Sequence, residues 1–241
     1  MTAVRALHQI VSPSTSHDEI AEHTALVRGQ SGAVEAEAYL SLDDRARVAL
    51  VELWEDEAAY ARYWSTVRTA TASHPVLVED TRGDGRASSE FYSHRPFDLD
   101  RIWIASGLPE SRSTIVWPAR DGVRIVLQLS LQSSTELRER LGEDQATTRR
   151  EPGCLQYEWF QGLDEPSHFV LLELWENQFI YDNHWHLRLK TPPPAQHLPV
   201  VERSRGQNGI EFYRHQPFQH LYDRWLPVDP HRWSETVVWP D

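Results

Sequence analysis

The chain has 241 residues, enough for one large domain or two of about 120, and its 40% hydrophobic and 25% charged content is that of an ordinary globular protein. A formal net charge of -12 argues against nucleic-acid or anionic-membrane partners, and no apolar run approaches the ~20 residues of a membrane span. The opening MTAVRALHQIVSPSTS lacks a basic segment leading into an apolar core, and the single cysteine, Cys154, rules out an internal disulfide, so a cytoplasmic setting is expected.

Taken in order, 4–11 reads as a strand, and Ser14 or Ser16 can cap a helix running to about Gly29. Residues 33–42 and 47–54 form a predicted hairpin turned at Asp43-Asp44. A second helix spans 57–71, and 89–96 is a last strand after a Gly-, Asp- and Ser-rich loop at 81–88. The order then starts again. Val123, Ile125, Leu127, Leu129 and Leu131 alternate with mostly polar residues, the mark of a strand with one buried face. Ser133 or Ser134 starts a helix to about Arg149. Glu151-Pro152-Gly153 is a turn, strands follow at 154–161 and 168–175, and 177–190 has helical spacing up to Pro192-Pro193-Pro194. A short helix or turn is expected at 195–203 and a closing strand at 210–216.

This recurrence is a repeat in the residues themselves. Glu52-Leu53-Trp54-Glu55 returns as Glu173-Leu174-Trp175-Glu176, an offset of 121. Glu90-Phe91-Tyr92 and His94 return at the same offset as Glu211-Phe212-Tyr213 and His215, and Val116-Trp117-Pro118 returns as Val238-Trp239-Pro240. The chain is therefore a tandem duplication, 1–120 and 121–241, each half in the βαββαβ order of a ferredoxin-like fold. Each half ends in a tail, 98–118 and 219–241, carrying Trp103 and Trp117 or Trp225, Trp233 and Trp239. Such tails can dock on the opposite repeat or cover a cavity. A sheet with helices on one side leaves its other face open, and two such sheets in one chain can bury both.

Pro152-Gly153-Cys154-Leu155, the Phe-containing strand ending Glu173-Leu174-Trp175-Glu176, and the following helix with His184 resemble the antibiotic biosynthesis monooxygenase family. The resemblance implies an α+β fold of two tandem ferredoxin-like repeats forming a pseudo-dimeric barrel, as a monomer or associated further into a homodimer. It also implies an oxygenase acting with O2 on a polycyclic aromatic polyketide such as a phenol, quinol or anthrone, by hydroxylation or by oxidative cleavage or rearrangement. No metal and no tightly bound cofactor are expected with it. Neither a Gly-x-Gly-x-x-Gly nor a Walker sequence is present, which argues against a dinucleotide site. Reduced flavin from a separate reductase needs no signature and stays open. A non-redox polyketide cyclase or isomerase, and a non-catalytic small-ligand-binding protein, are the alternatives on the same scaffold.

Comparing the halves locates the chemistry. Tyr60, Tyr63, Trp64 and Val67 share one helix face, and their counterparts are Tyr181, His184, Trp185 and Arg188. One half offers an aromatic and apolar face, while the other places an imidazole and a guanidinium there. An imidazole ordinarily titrates near ~6.5, so His184 is the expected base. Arg188 would stabilise phenolate charge, and Asn183 and Asn177 would hydrogen-bond a carbonyl. Tyr181, Trp185 and Trp175, with Tyr60 and Trp64 from the first half, would form the aromatic slot. His184 and His186 point about 200° apart on a helix and make a poor chelating pair. His94 and His215 recur in both halves and read as structural, and Cys154 reads as a small buried residue rather than a nucleophile.

Overall fold

The computed structural model describes residues 2–11, 15–69, 88–98, 101–105, 122–190, 198–221 and 224–228. The first half supplies β1 (Val4–Val11), α1 (His17–Arg28), β2 (Ala33–Ser41), β3 (Arg47–Trp54), α2 (Glu57–Thr69), β4 (Ser88–Ser93), β5 (Pro96–Asp98) and β6 (Arg101–Ala105). The second supplies β7 (Val123–Leu131), α3 (Thr135–Thr148), β8 (Cys154–Gly162), β9 (His168–Trp175), α4 (Gln178–Lys190), β10 (Val200–Val201), β11 (Gly209–Arg214), β12 (Pro217–Leu221) and β13 (Arg224–Pro227). No helix among the described residues is long and apolar enough to cross a membrane.

These elements form two units. Unit 1 is built from residues 1–94, 162–164 and 216–241, and unit 2 from 95–161 and 165–215. In unit 1 the sheet runs β4-β1-β3-β2 with every pairing antiparallel. In unit 2 it runs β11-β7-β9-β8 in the same way. Each is the ferredoxin-like arrangement, with the first and third strands central and a helix after the first and third strands. The tails add edge strands. β5 extends unit 2 beside β11, and β12 extends unit 1 beside β4, followed by β13. The side chain of Trp103, and Trp117, Trp233 and Trp239, lie outside the described residues, as does most of the 81–88 loop.

Helix starts are fixed by side chains that satisfy the first-turn amides. Ser16 accepts from the Glu19 amide at 3.3 Å while Glu19 reaches back to the Ser16 amide at 2.8 Å, a capping box. Ser134 accepts from the Leu137 amide. Asp56 and Asn177, equivalent in the repeat, accept from Ala59 and Ile180 and start α2 and α4. The segment expected as a helix or turn at 195–203 instead contributes β10 in its described part. Asn208 fastens it there, accepting from the Ser130 amide at 2.6 Å and donating to the Val201 carbonyl at 2.7 Å. Two β-branched valines with an edge amide to pair suit a strand better than a helical turn.

In unit 1, alternation sends Val4, Ala6, Ile10, Ala36, Ala38, Leu40, Val48, Leu50 and Trp54 toward the helices, where they pack with Ile20, Val27, Tyr60, Tyr63 and Trp64. The opposite face carries buried polar residues in bonded sets. Arg5 meets Glu35 at 3.5 Å, and Tyr92 donates to Glu90 at 2.6 Å. Unit 2 repeats the layout with Arg124 donating to Gln156 at 2.7 Å and Tyr213 to Glu211 at 2.7 Å. The duplication extends to single hydrogen bonds. Arg28 Nε donates to the Ala36 carbonyl and Arg149 Nε to that of Tyr157. The backbone amides of His94 and His215 donate to Ala3 and Gly122, so these recurring positions close equivalent strand ends.

Candidate active site

The site is assembled where α4 crosses the helix-facing side of β8 and β9. Trp175, the last residue of β9, is fully buried and donates its indole N–H to Glu173 at 2.8 Å, as Trp54 does to Glu52 in unit 1. That bond holds the indole plane against α4. His184 comes down onto it from the helix, with ring centroids 4.5 Å apart and planes inclined by 34°. Tyr181, one turn earlier, lies 6.3 Å from the imidazole and 5.8 Å from Phe212 of β11. Tyr157 of β8 stands edge-on to the imidazole at 6.1 Å and donates its hydroxyl to Asp144 of α3 at 2.8 Å. Indole, imidazole and two phenols thus pack as one buried aromatic cluster, with Glu173 bonded to the indole and Asp144 to the Tyr157 phenol.

The imidazole is anchored by a residue that sequence reasoning read only as part of a turn. His184 Nδ1 lies 2.6 Å from Glu151 Oε2, with the histidine side chain 4% and the glutamate 26% exposed. A carboxylate can only accept from this nitrogen, so the neutral ring carries its hydrogen on Nδ1 and presents Nε2 as the basic atom. The signal was present in the repeat: Glu151 stands where the first half has Gln30, and His184 where it has Tyr63. Both partners differ together.

Two neighbouring groups, the Tyr181 phenol and the Cys154 thiol, are kept neutral. Burial pushes the Tyr181 phenol well above its ordinary value, and Glu173 and Asp182 push it further. Burial, then Glu173 and Glu151, pushes the Cys154 thiol up to about 12, so it stays protonated at neutral pH and unreactive. Among the described residues, no group of three or more His, Cys, Asp or Glu side chains could hold a metal ion.

The other expected site residues divide as follows. Trp185 is half-buried and Asn183 is exposed. Asn177, expected to bond a substrate carbonyl, has its side-chain oxygen engaged in capping α4 at 3.1 Å, because that position is the last before the helix. The side chain of Arg188 lies outside the described residues. Tyr60 and Trp64 are in unit 1, stacked on each other at 6.0 Å within its core, with Trp225 of β13 5.1 Å from Trp64. There the counterpart of His184 is Tyr63, which stacks on Trp54 at 4.9 Å and meets His23 Nε2 at 3.1 Å. Burial lowers His23 to about 4 and raises Tyr63, so this pair is neutral on both sides.

Residues 15–71 and 123–187 match the family described as antibiotic biosynthesis monooxygenase, just over half of the chain in two segments. No curated protein matches the chain. Among solved structures, a candidate antibiotic biosynthesis monooxygenase from Deinococcus radiodurans is 30% identical over 39% of this chain and 91% of its own, with a TM-score of 0.31. An anthrone oxidase-like protein is 14% identical over 90% of this chain and 94% of its own, at a TM-score of 0.32. A ferredoxin-fold protein from Listeria monocytogenes, described as related to antibiotic biosynthesis monooxygenases, is 8% identical over 88% and 96%, at 0.29.

Proposed function

Because the chain belongs to the antibiotic biosynthesis monooxygenase family, we propose that its second unit oxidises an electron-rich polycyclic aromatic, a phenol, quinol or anthrone of polyketide type, with O2. The observation that carries this reading is the buried imidazole of His184 lying 4.5 Å over the Trp175 ring and bonded through Nδ1 to a carboxylate. A flat substrate stacked against this cluster meets aromatic surface and one basic nitrogen. His184 Nε2 takes the proton, and the resulting carbanion or phenolate is electron-rich enough to reduce oxygen. For an anthrone methylene, one oxygen atom goes to the carbon and the other leaves as water with the two hydrogens. The chain's part is to remove the proton, hold the anion and exclude water. O2 is the co-substrate and no tightly bound cofactor is invoked. Adding reduced flavin to the assay asks whether a separate reductase feeds the reaction.

The test is oxygen uptake by the purified protein with anthrone as probe. His184→Ala should lower kcat by about 10²–10⁴-fold, the usual worth of a positioned acid–base group. Equal rates for wild type and variant would remove His184 from the reaction. Turnover at full rate under anaerobic conditions would assign a cyclase or isomerase reaction instead.

A further inference from the structure

We infer that Glu151 is the positioning residue of this site, forming with His184 a carboxylate–imidazole pair that fixes the ring's tautomer and sets the pH window of its basicity. The inference rests on the reading of His184 as the base and extends it to a residue outside the helix that carries the imidazole.

Three observations carry it. First, Glu151 is held independently of the bond it makes. Its amide donates to the Thr148 carbonyl at 2.9 Å, and its own carbonyl accepts from the Cys154 amide at 3.2 Å. Second, the turn that carries it is seated directly on α4. Gly153 has φ +78°, and a Cβ there would fall 2.5 Å from Cδ1 of Ile180, one turn before His184. Third, the pair is specific to unit 2, since the first half has Gln30 and Tyr63 at these positions and the tyrosine turns to His23 instead.

Among the described residues, other charged groups near the ring are bonded elsewhere. Asp144 accepts from Tyr157, and Glu173 accepts from Trp175. Arg149, the nearby cation on the turn, donates its Nε to the Tyr157 carbonyl. The thiol of Cys154 and the phenol of Tyr181 are both raised and neutral near pH 7. Glu151 is therefore the carboxylate in hydrogen-bond contact with the imidazole, and an anion at that distance favours the protonated ring.

Glu151→Gln keeps the size and removes the charge, while Glu151→Asp keeps the charge and shortens the reach. Histidine ring titration by NMR, with His184→Gln to assign the resonance, reads the pair without any substrate. Glu151→Gln should lower the His184 midpoint by about one pH unit, and the acid limb of kcat/KM should move with it. Glu151→Asp should restore most of that shift. In the wild-type protein the neutral ring should show hydrogen on Nδ1 and none on Nε2. The opposite tautomer, or a midpoint indifferent to Glu151→Gln, overturns the pair, and the tautomer result holds even if the glutamine variant folds poorly. A midpoint that shifts as expected in a protein that never consumes oxygen would support the pair and overturn the oxygenase reading.

Discussion

At the scale of single residues, two glycines decide how closely each helix can approach the sheet. Gly32 and Gly153 are equivalent in the repeat, with φ of +87° and +78°, and their carbonyls accept from Glu55 and Glu176. A side chain in this left-handed region costs roughly 1–2 kcal/mol from backbone sterics alone. What the new methyl meets differs. At Gly32 it would lie 2.5 Å from Cβ of Ala59, an atom fixed to the α2 backbone, whereas at Gly153 it meets Cδ1 and Cγ2 of Ile180. The isoleucine can change rotamer in part, while α2 has to move as a whole. Gly32→Ala should therefore lower unfolding stability by more than Gly153→Ala, and both by more than about 1 kcal/mol. Activity should show the reverse order, because only Gly153 lies in the turn that holds Glu151 against α4. Urea unfolding and oxygen uptake on the two variants check both orders, and equal stability losses would show that the methyl contacts do not matter.

At the scale of elements, the helix-facing side of unit 1 buries titratable groups whose effects oppose each other. Burial lowers His8 on β1 to about 3 and His23 on α1 to about 4, and it raises Glu52 on β3 to about 7. Between pH 4.5 and 6.5 the unfolded chain protonates both histidines while the folded chain does not, so each adds stability as pH rises. Over the same range the folded chain keeps a proton on Glu52 that the unfolded chain releases, and this subtracts. Two against one leaves a net gain of about 1.4 kcal/mol per pH unit from these groups. Replacing both histidines by glutamine should reverse the slope, leaving Glu52 to make unit 1 less stable as pH rises. Urea midpoints at pH 5.0 and 6.5 read the sign directly. Most of this layer was legible in sequence. The capping serines, both hairpins and the inward positions of Tyr60, Tyr63 and Trp64 on α2 and of Tyr181 and His184 on α4 follow from local periodicity and turn chemistry. The partners Tyr63–His23 and His184–Glu151 were not, since spacing places a side chain on a face but not opposite a residue of another element 33 or 40 positions away. Only the unlike residues at matched repeat positions pointed to them.

At the scale of the molecule, the duplication is not two independent folds laid end to end. The strand β12 lies near the end of the second half, yet it pairs with β4 and belongs to unit 1, as β5 lies near the end of the first half and pairs with β11 in unit 2. Nothing local in the tail sequences specifies this, because a strand's partner is set by which sheet edge lies open and not by its own pattern. The consequence is energetic dependence of the first unit on the last part of the chain. Trp225 of β13 is only 5% exposed and packs with Trp64 at 5.1 Å, Phe91 at 5.1 Å, His220 at 5.3 Å and His8 at 5.8 Å. Removing such an indole leaves a cavity bounded by rings from α2, β1, β4 and β12 that cannot all collapse together, a change that typically costs about 3–5 kcal/mol. Trp225→Ala should therefore raise hydrogen exchange in peptides from 2–69 and 88–94, although the substitution lies more than 130 residues downstream of them. Peptides from β7, α3 and β8 should keep their protection, because Trp225 is not in their unit. If protection falls equally in both sets, the two units unfold as one and the tail stabilises the whole chain. If it falls in neither, the indole is not part of the first unit's core in solution.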